Sequence, residues 1–421
     1  MPLTLTDYDQ GFLDGSRGPA AMMAMRILVR MAEVQGATEM MDISAAHIDS
    51  ALYMGEATLE FAERLAGLGG RVVVPTTLNV SGVDERGWRD WPVPAEWAEQ
   101  AMRQMRAYTD MGCAPTWTCA PYQAGAAPQF GQQIAWGESN AIAFANSVLG
   151  ARTERYPDLL DICAALTGRV PAVGLHLDEN RAAQLVVRLV GVPLRLQQAD
   201  ELYPVLGHLL GELAGSRVPA LLGLEVKPTE DQLKALGAAA ASSGSVALFH
   251  IVGVTPEAPT LGAACRGQTP DEEIEVDLAR LRSAWRELTT TSGEGLEMVV
   301  LGSPHFSLAE FTTLAPFLDG VRCDPSVRFL VTSSRAVAAL ADQAGVLEPL
   351  ENFGGALTVD TCLLTTPMLP PTVKTIMTNS AKYAYYAPGM LGVQVVFGSL
   401  ADCVRSAVAG RVTRDETLWS M

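Results

Sequence analysis

The 421-residue chain contains no uninterrupted apolar segment long enough to span a bilayer. It lacks a GxGxxG run opening a helix after the first strand, a GxxxxGK(S/T) loop, an HExxH pair and a GxSxG elbow. Those absences remove the common signatures of dinucleotide, P-loop, zinc-protease and serine-hydrolase chemistry. Its seven cysteines are scattered, odd in number and without a close CxxC pair, which makes a poor disulfide framework. The N-terminal MPLTLTDYDQGFLDG is acidic and has no apolar run, so no signal peptide is expected there and a reducing cytoplasm is. Lysine is scarce (Lys227, Lys234, Lys374 and Lys382), whereas Arg and Ala are abundant, a bias that points to a GC-rich bacterial genome. The net charge of −17 argues against nucleic acid and anionic membranes as partners. It does not exclude an anionic substrate, because a local Arg/Lys pocket overrides a distant acidic surface.

What is present is a large apolar share, 48% of residues, in a chain too long for one simple core. Two or three subdomains sharing a continuous interior are expected. The patterning predicts helices over 20–35, 59–68, 230–241, 271–288 and 334–344. Strand candidates fall at 39–43, 71–74, 170–175, 220–224, 246–252, 298–301 and 329–332. This alternation is the rhythm of α/β layers. Polar candidates follow apolar runs, as Asn79 follows Val74 and Ser303 follows Leu301, and open parallel sheets bind ligands beyond the carboxyl ends of their strands. The segments 87–94 and 257–269 read as surface excursions, and the polar tail after Gly410 as exposed.

The stretch from Trp117 to Arg155 carries most of the chemistry. It sets Cys119 in a Thr-Cys-Ala-Pro-Tyr turn, followed by Glu138-Ser139-Asn140, Asn146-Ser147 and Arg152-Thr153. Polar clusters at near-helical spacing suggest one helix face presenting an acid, amides, hydroxyls and a guanidinium to a small polar ligand. The cysteine adds a metal ligand or nucleophile.

These residues resemble aconitase X, the outlying branch of the aconitase superfamily. Further pieces of the resemblance are His47-Ile48-Asp49, Gly55, Leu59-Glu60-Phe61, the run Val74 to Asn79, Asp84, and the run Phe249 to Ala258. Gly302-Ser303-Pro304-His305, Val359-Asp360-Thr361-Cys362 and Thr378-Asn379-Ser380-Ala381-Lys382 follow. The pieces run in family order from about residue 15 to about residue 410. The resemblance implies an α/β, aconitase-like catalytic part over 1–421, with subdomains around a central cleft and without the small swivelling domain. It implies a hydro-lyase acting on a small hydroxylated acid. Two substrate classes are implied: cis-3-hydroxy-L-proline, giving a pyrroline carboxylate and favoured here, and mevalonate 5-phosphate, whose enzyme has a large subunit of this kind.

The resemblance also implies an iron–sulfur cluster on three cysteines, in the TCxPY turn, a GCPH loop and the DTC loop. Cys119 and Cys362 match; the middle position is Ser303. Thiolates suit iron because soft sulfur donates well, and a serine hydroxyl is harder and far less acidic. Ser303 then serves as an oxygen ligand, or Cys113 or His305 supplies the missing donor, or the chain binds a single metal, or none. The resemblance gives catalytic roles to Glu138, Ser139 and Lys382, and substrate-binding roles to Asn79, Asn140, Arg152 and Ser380. Against these stand plainer readings: Glu138 as a capping carboxylate, Lys382 as a snorkelling surface lysine, His47 as a satisfied structural histidine beside Asp49. A reading of another class is an inert, cluster-less homologue serving as a binding or scaffold subunit. The expected partner is a separate small subunit carrying the swivelling domain, giving a heterodimer.

Overall fold

The run Met298–Leu301 is apolar at every position and buried at every position. Such a strand needs cover on both faces, the environment of a parallel sheet. A computed structural model of the chain, describing residues 2–420, places it at the centre of a five-stranded parallel sheet. The order is Ala356–Val359, Arg328–Ser333, Met298–Leu301, Thr375–Thr378, Gln394–Phe397. A second parallel sheet runs His250–Ile251, Pro219–Leu222, Leu185–Leu189, Glu272–Val276. A third, smaller one runs Thr76–Leu78, Ala46–Ile48, Ala135–Trp136. Met40–Asp42 pairs antiparallel with Arg169–Pro171.

Two of these orders decide where a ligand can sit. In the five-stranded sheet the chain winds outward from Met298–Leu301 through two strands, then returns to its other side with Thr375–Thr378. In the small sheet it winds from Ala46–Ile48 to Thr76–Leu78, then returns with Ala135–Trp136. A crevice opens at such a switch point, beyond the carboxyl ends of the two strands. Ser303 and Ser380 follow the first pair of strands; Asp49 and Glu138 follow the second.

The interior is continuous between layers. Helices Leu202–Ala214 and Glu230–Ser243 pack so closely that a side chain on Gly207 would overlap the Leu236 carbonyl. Beneath the five-stranded sheet, Val299, Leu301, Phe311, Phe329, Val331 and Phe353 form a separate apolar layer. No helix among the described residues is long and apolar enough to cross a membrane.

Several expectations need correction. Residues 71–74 form no strand; pairing begins at Thr76, beyond Pro75. The span 271–288 is not one helix. Glu272–Val276 is a strand at the edge of its sheet, and the Asp277 side chain then caps Arg280 N to start the helix Leu278–Glu287. The tail is not wholly exposed, since Trp419 is buried and stacks on Trp285, both indoles donating to Glu201 Oε1. Nor is 257–269 purely surface, because Glu257 is the buried partner of Arg181.

Candidate active site

Glu138 caps the short helix Ser139–Phe144, its Oε1 accepting from Asn140 N. On the other side of the crevice Ser380 caps the helix Ala381–Leu391, accepting from Tyr383 N. The second cap puts Lys382 in a first helical turn, aimed across the gap. Its ammonium lies 2.7 Å from Glu138 Oε1 and 2.7 Å from Asn140 Oδ1. Ser139 Oγ donates to the same Glu138 oxygen, and Asn79 Nδ2 donates to Oε2. Lys382 and Glu138 are each 12% exposed, which rules out a snorkelling lysine and makes Glu138 more than a cap. Burial works against both charges, and each is the other's largest compensation. The pair holds Glu138 below the usual carboxylate range and Lys382 above the usual lysine range.

Asp49 sits opposite, with Asn79 Nδ2 also donating to it. Burial, then the charges of Glu138 and Asp161, push its carboxyl well above the usual range. Its backbone is fixed by Asp161 Oδ2, which accepts from Asp49 N and Ser50 N. Gly137 permits this approach, since a Cβ there would stand 2.7 Å from Asp49 Cβ. One lowered and one raised carboxyl side by side is the arrangement that separates base from acid. Asp161 and the pairing of Asp49 with Glu138 escaped the sequence reading because they arise between distant segments.

Both thiols lie within reach of the Lys382 charge. His305 N donates to Cys119 Sγ at 3.2 Å, and His305 Nε2 faces Thr361 O at 3.0 Å, beside Cys362. One histidine therefore joins the three loops that carry Cys119, Ser303 and Cys362. Burial pushes the Cys119 thiol up to about 12, against the opposing pull of Lys382. Burial also raises Cys362, which stands beside Tyr383. Ser303 is buried, and its carbonyl accepts from Ser380 Oγ. The His305 ring nitrogens face Thr118 and Thr361, and Cys113 lies near Asp161.

Arg152 is not brought to this group, contrary to expectation. The helix gives way to a π-turn over Ala145–Leu149 and ends at Gly150, φ 70°. Arg152 then pairs alongside Gln133, five residues before Glu138 and toward the other end of that strand. Its guanidinium meets Asp178 at 2.6 Å and Glu257 at 3.7 Å. Asn146 and Ser147 likewise bond to backbone, at Thr153 O, Ala247 O and Phe249 N.

The comparisons with known proteins agree with this architecture. Family models match in order: aconitase X first domain over residues 2–179, second domain over 183–286 and third domain over 296–409. The cis-3-hydroxy-L-proline dehydratase of Pseudomonas aeruginosa is 50% identical over 418 residues, covering 99% of this chain and 72% of that protein. The enzyme of the same name from Hypocrea jecorina is 49% identical, covering 97% of this chain and 69% of that protein. The phosphomevalonate dehydratase large subunit of Methanothermobacter thermautotrophicus is 38% identical, covering 94% and 97%. The crystal structure of Thermococcus kodakaraensis aconitase X in its holo-form superposes with a TM-score of 0.86 at 34% identity, covering 96% of this chain and all of that one. With three domain models matching in order between residues 2 and 409 and two switch-point crevices meeting at Glu138 and Lys382, this chain belongs to the aconitase X family.

Proposed function

We propose that this chain is the catalytic large part of a hydro-lyase that dehydrates cis-3-hydroxy-L-proline to a pyrroline carboxylate. One observation carries the reading. Beside the Lys382–Glu138 pair, Asn79 Oδ1 is buried without a hydrogen-bond partner. Buried polar atoms are rarely left so, and a small polar ligand would satisfy this one. The substrate class follows the relatives at about half identity, whose name states that substrate.

The reaction removes a proton from C2, beside the carboxylate, and hydroxide from C3. A substrate carboxylate entering the crevice competes with Glu138 for the Lys382 ammonium. Glu138 then loses its largest stabilising charge, its basicity rises, and it takes the C2 proton. Lys382 holds the carboxylate and the enolate-like charge that develops on it. Ser139 stays on Glu138 as a hydrogen-bond donor, and Asp49, whose carboxyl is pushed well above the usual range by burial, is the proton donor toward the departing hydroxyl. Asn79, Asn140 and Ser380 orient the ring. Burial of the whole group excludes the water that would weaken these interactions.

The family's iron–sulfur centre fits the donor chemistry present: the buried thiol of Cys119 and the half-buried one of Cys362, on loops tied together through His305, with the Ser303 hydroxyl as the third, harder donor. Bound there, it supplies a Lewis acid for the leaving hydroxyl. The partner we propose is a separate small subunit of the swivelling type, giving a heterodimer. Support comes from the archaeal relatives, named as large subunits and matched over nearly their full length. A stable interface would bury at least ~1,200 Å².

The test is turnover of anaerobically purified protein, alone and with a candidate small subunit, on cis-3-hydroxy-L-proline and on mevalonate 5-phosphate. Turnover of the first alone is expected. Turnover of the second alone would transfer the chain to the phosphomevalonate class. No turnover of either by iron-loaded complex would favour an inert scaffold.

A further inference from the structure

His208 is not part of the group described above; it lies on the helix Leu202–Ala214. It is 5% exposed, and neither ring nitrogen has a hydrogen-bond partner. Glu212, one turn along the same helix, places Oε1 3.6 Å from His208 Nε2. Glu287, at the end of the helix Leu278–Glu287, places Oε2 4.0 Å from the same nitrogen. The three donor atoms lie within 4.8 Å of one another. Both separations exceed a hydrogen bond, so the nitrogen and the two carboxylates face one another across a gap.

We infer that this gap is a binding site for a divalent first-row cation such as Zn²⁺. A metal bound at about 2.0–2.2 Å to imidazole nitrogen and carboxylate oxygens sets its ligand atoms roughly 3–3.5 Å apart. The two glutamates are about half exposed at the side chain, so rotation of these side chains draws the donors together without moving a helix. Burial holds His208 neutral, with a lone pair free to donate. Ser283 Oγ donates to Glu287 Oε1 at 3.1 Å, leaving Oε2 for the metal, the outer support that metal carboxylates use. One nitrogen and two carboxylates leave at least one position for water. Because the ligands come from two helices, the cation ties them together, and the Tyr385 ring packs on His208 from the helix Ala381–Leu391, which carries Lys382. The site is a structural staple, distinct from the thiols.

The experiment is a Zn²⁺ titration of the full chain carrying ring-labelled histidine. The chain has five histidines, so each ring is followed by NMR, with thermal unfolding measured in parallel. One ring signal should move to saturation at one equivalent and be missing in His208→Gln. Glu287→Gln, a change at a half-exposed position, should keep the fold and demand at least tenfold more Zn²⁺ for the same shift. Zinc should raise the unfolding temperature of the parent and not of either variant. If no ring signal moves, or if zinc binds only through thiols, the inference is overturned. It is equally overturned if Glu287→Gln titrates like the parent.

Discussion

The Lys382 ammonium and the Glu138 carboxylate meet at 2.7 Å across 244 residues of chain. Their contact joins the last strand-to-helix turn of the small sheet to the equivalent turn of the five-stranded sheet. Breaking a buried pair by removing one partner leaves the other charge uncompensated, so Lys382→Met and Glu138→Gln should each act on more than binding.

For these two variants kcat should fall on the order of 10²–10³-fold or more, with a smaller change in KM. Steady-state kinetics on cis-3-hydroxy-L-proline, with near-UV circular dichroism as the check on folding, decides the matter. Retention of full kcat by Glu138→Gln would remove Glu138 from the role of base.

Iron content should respond to the donor set. Cys119→Ala and Cys362→Ala should each abolish iron retention, and Ser303→Cys should increase it, because a thiolate is the softer donor. Iron and sulfide analysis of anaerobic protein measures this. Both alanine variants at full activity would show that the centre takes no part in turnover.

Arg152→Ala should cost stability and leave kinetics alone. Its partners are Asp178 and Glu257, and Glu257 keeps Arg181 and Arg266. The loss should be about 1–3 kcal/mol in denaturant unfolding. A raised KM with unchanged stability would return Arg152 to the substrate.

Acid stability should be set partly by histidines held neutral. Burial lowers His47 and His176 to about 3 and His305 to about 4. The unfolded chain takes up protons near pH 6.5 and the folded one does not, so stability is full above that pH. It falls as pH drops from about 6.5 toward 4. At pH 5 each such histidine costs on the order of 2 kcal/mol relative to pH 7 and above. Urea midpoints at pH 7.5 and 5 measure it, and equal midpoints would contradict neutral burial.

The sequence alone carried much of this. Apolar runs ending in polar loops located the strands Met298–Leu301 and Arg328–Ser333, and the helix Glu230–Ser243. These are local properties: period, propensity and cap chemistry act over a few residues, so they are written in adjacent positions. Glu138 and Asn140 stood out as part of a polar cluster in the same local way, whereas Ser380 and Lys382 were singled out by the resemblance to aconitase X. Helical spacing misled at Arg152, where a π-turn and Gly150 ended the helix before the period could carry the side chain round. What only the tertiary structure decided was strand order. Placing Ala135–Trp136 beside Ala46–Ile48, and Thr375–Thr378 beside Met298–Leu301, creates the two switch points. The long-range pairings behind them depend on packing summed over the whole interior, which no local stretch encodes. From that order follow the meeting of Asp49 with Glu138, the opposite shifts of their two carboxyls, and the pairing of Glu138 with Lys382.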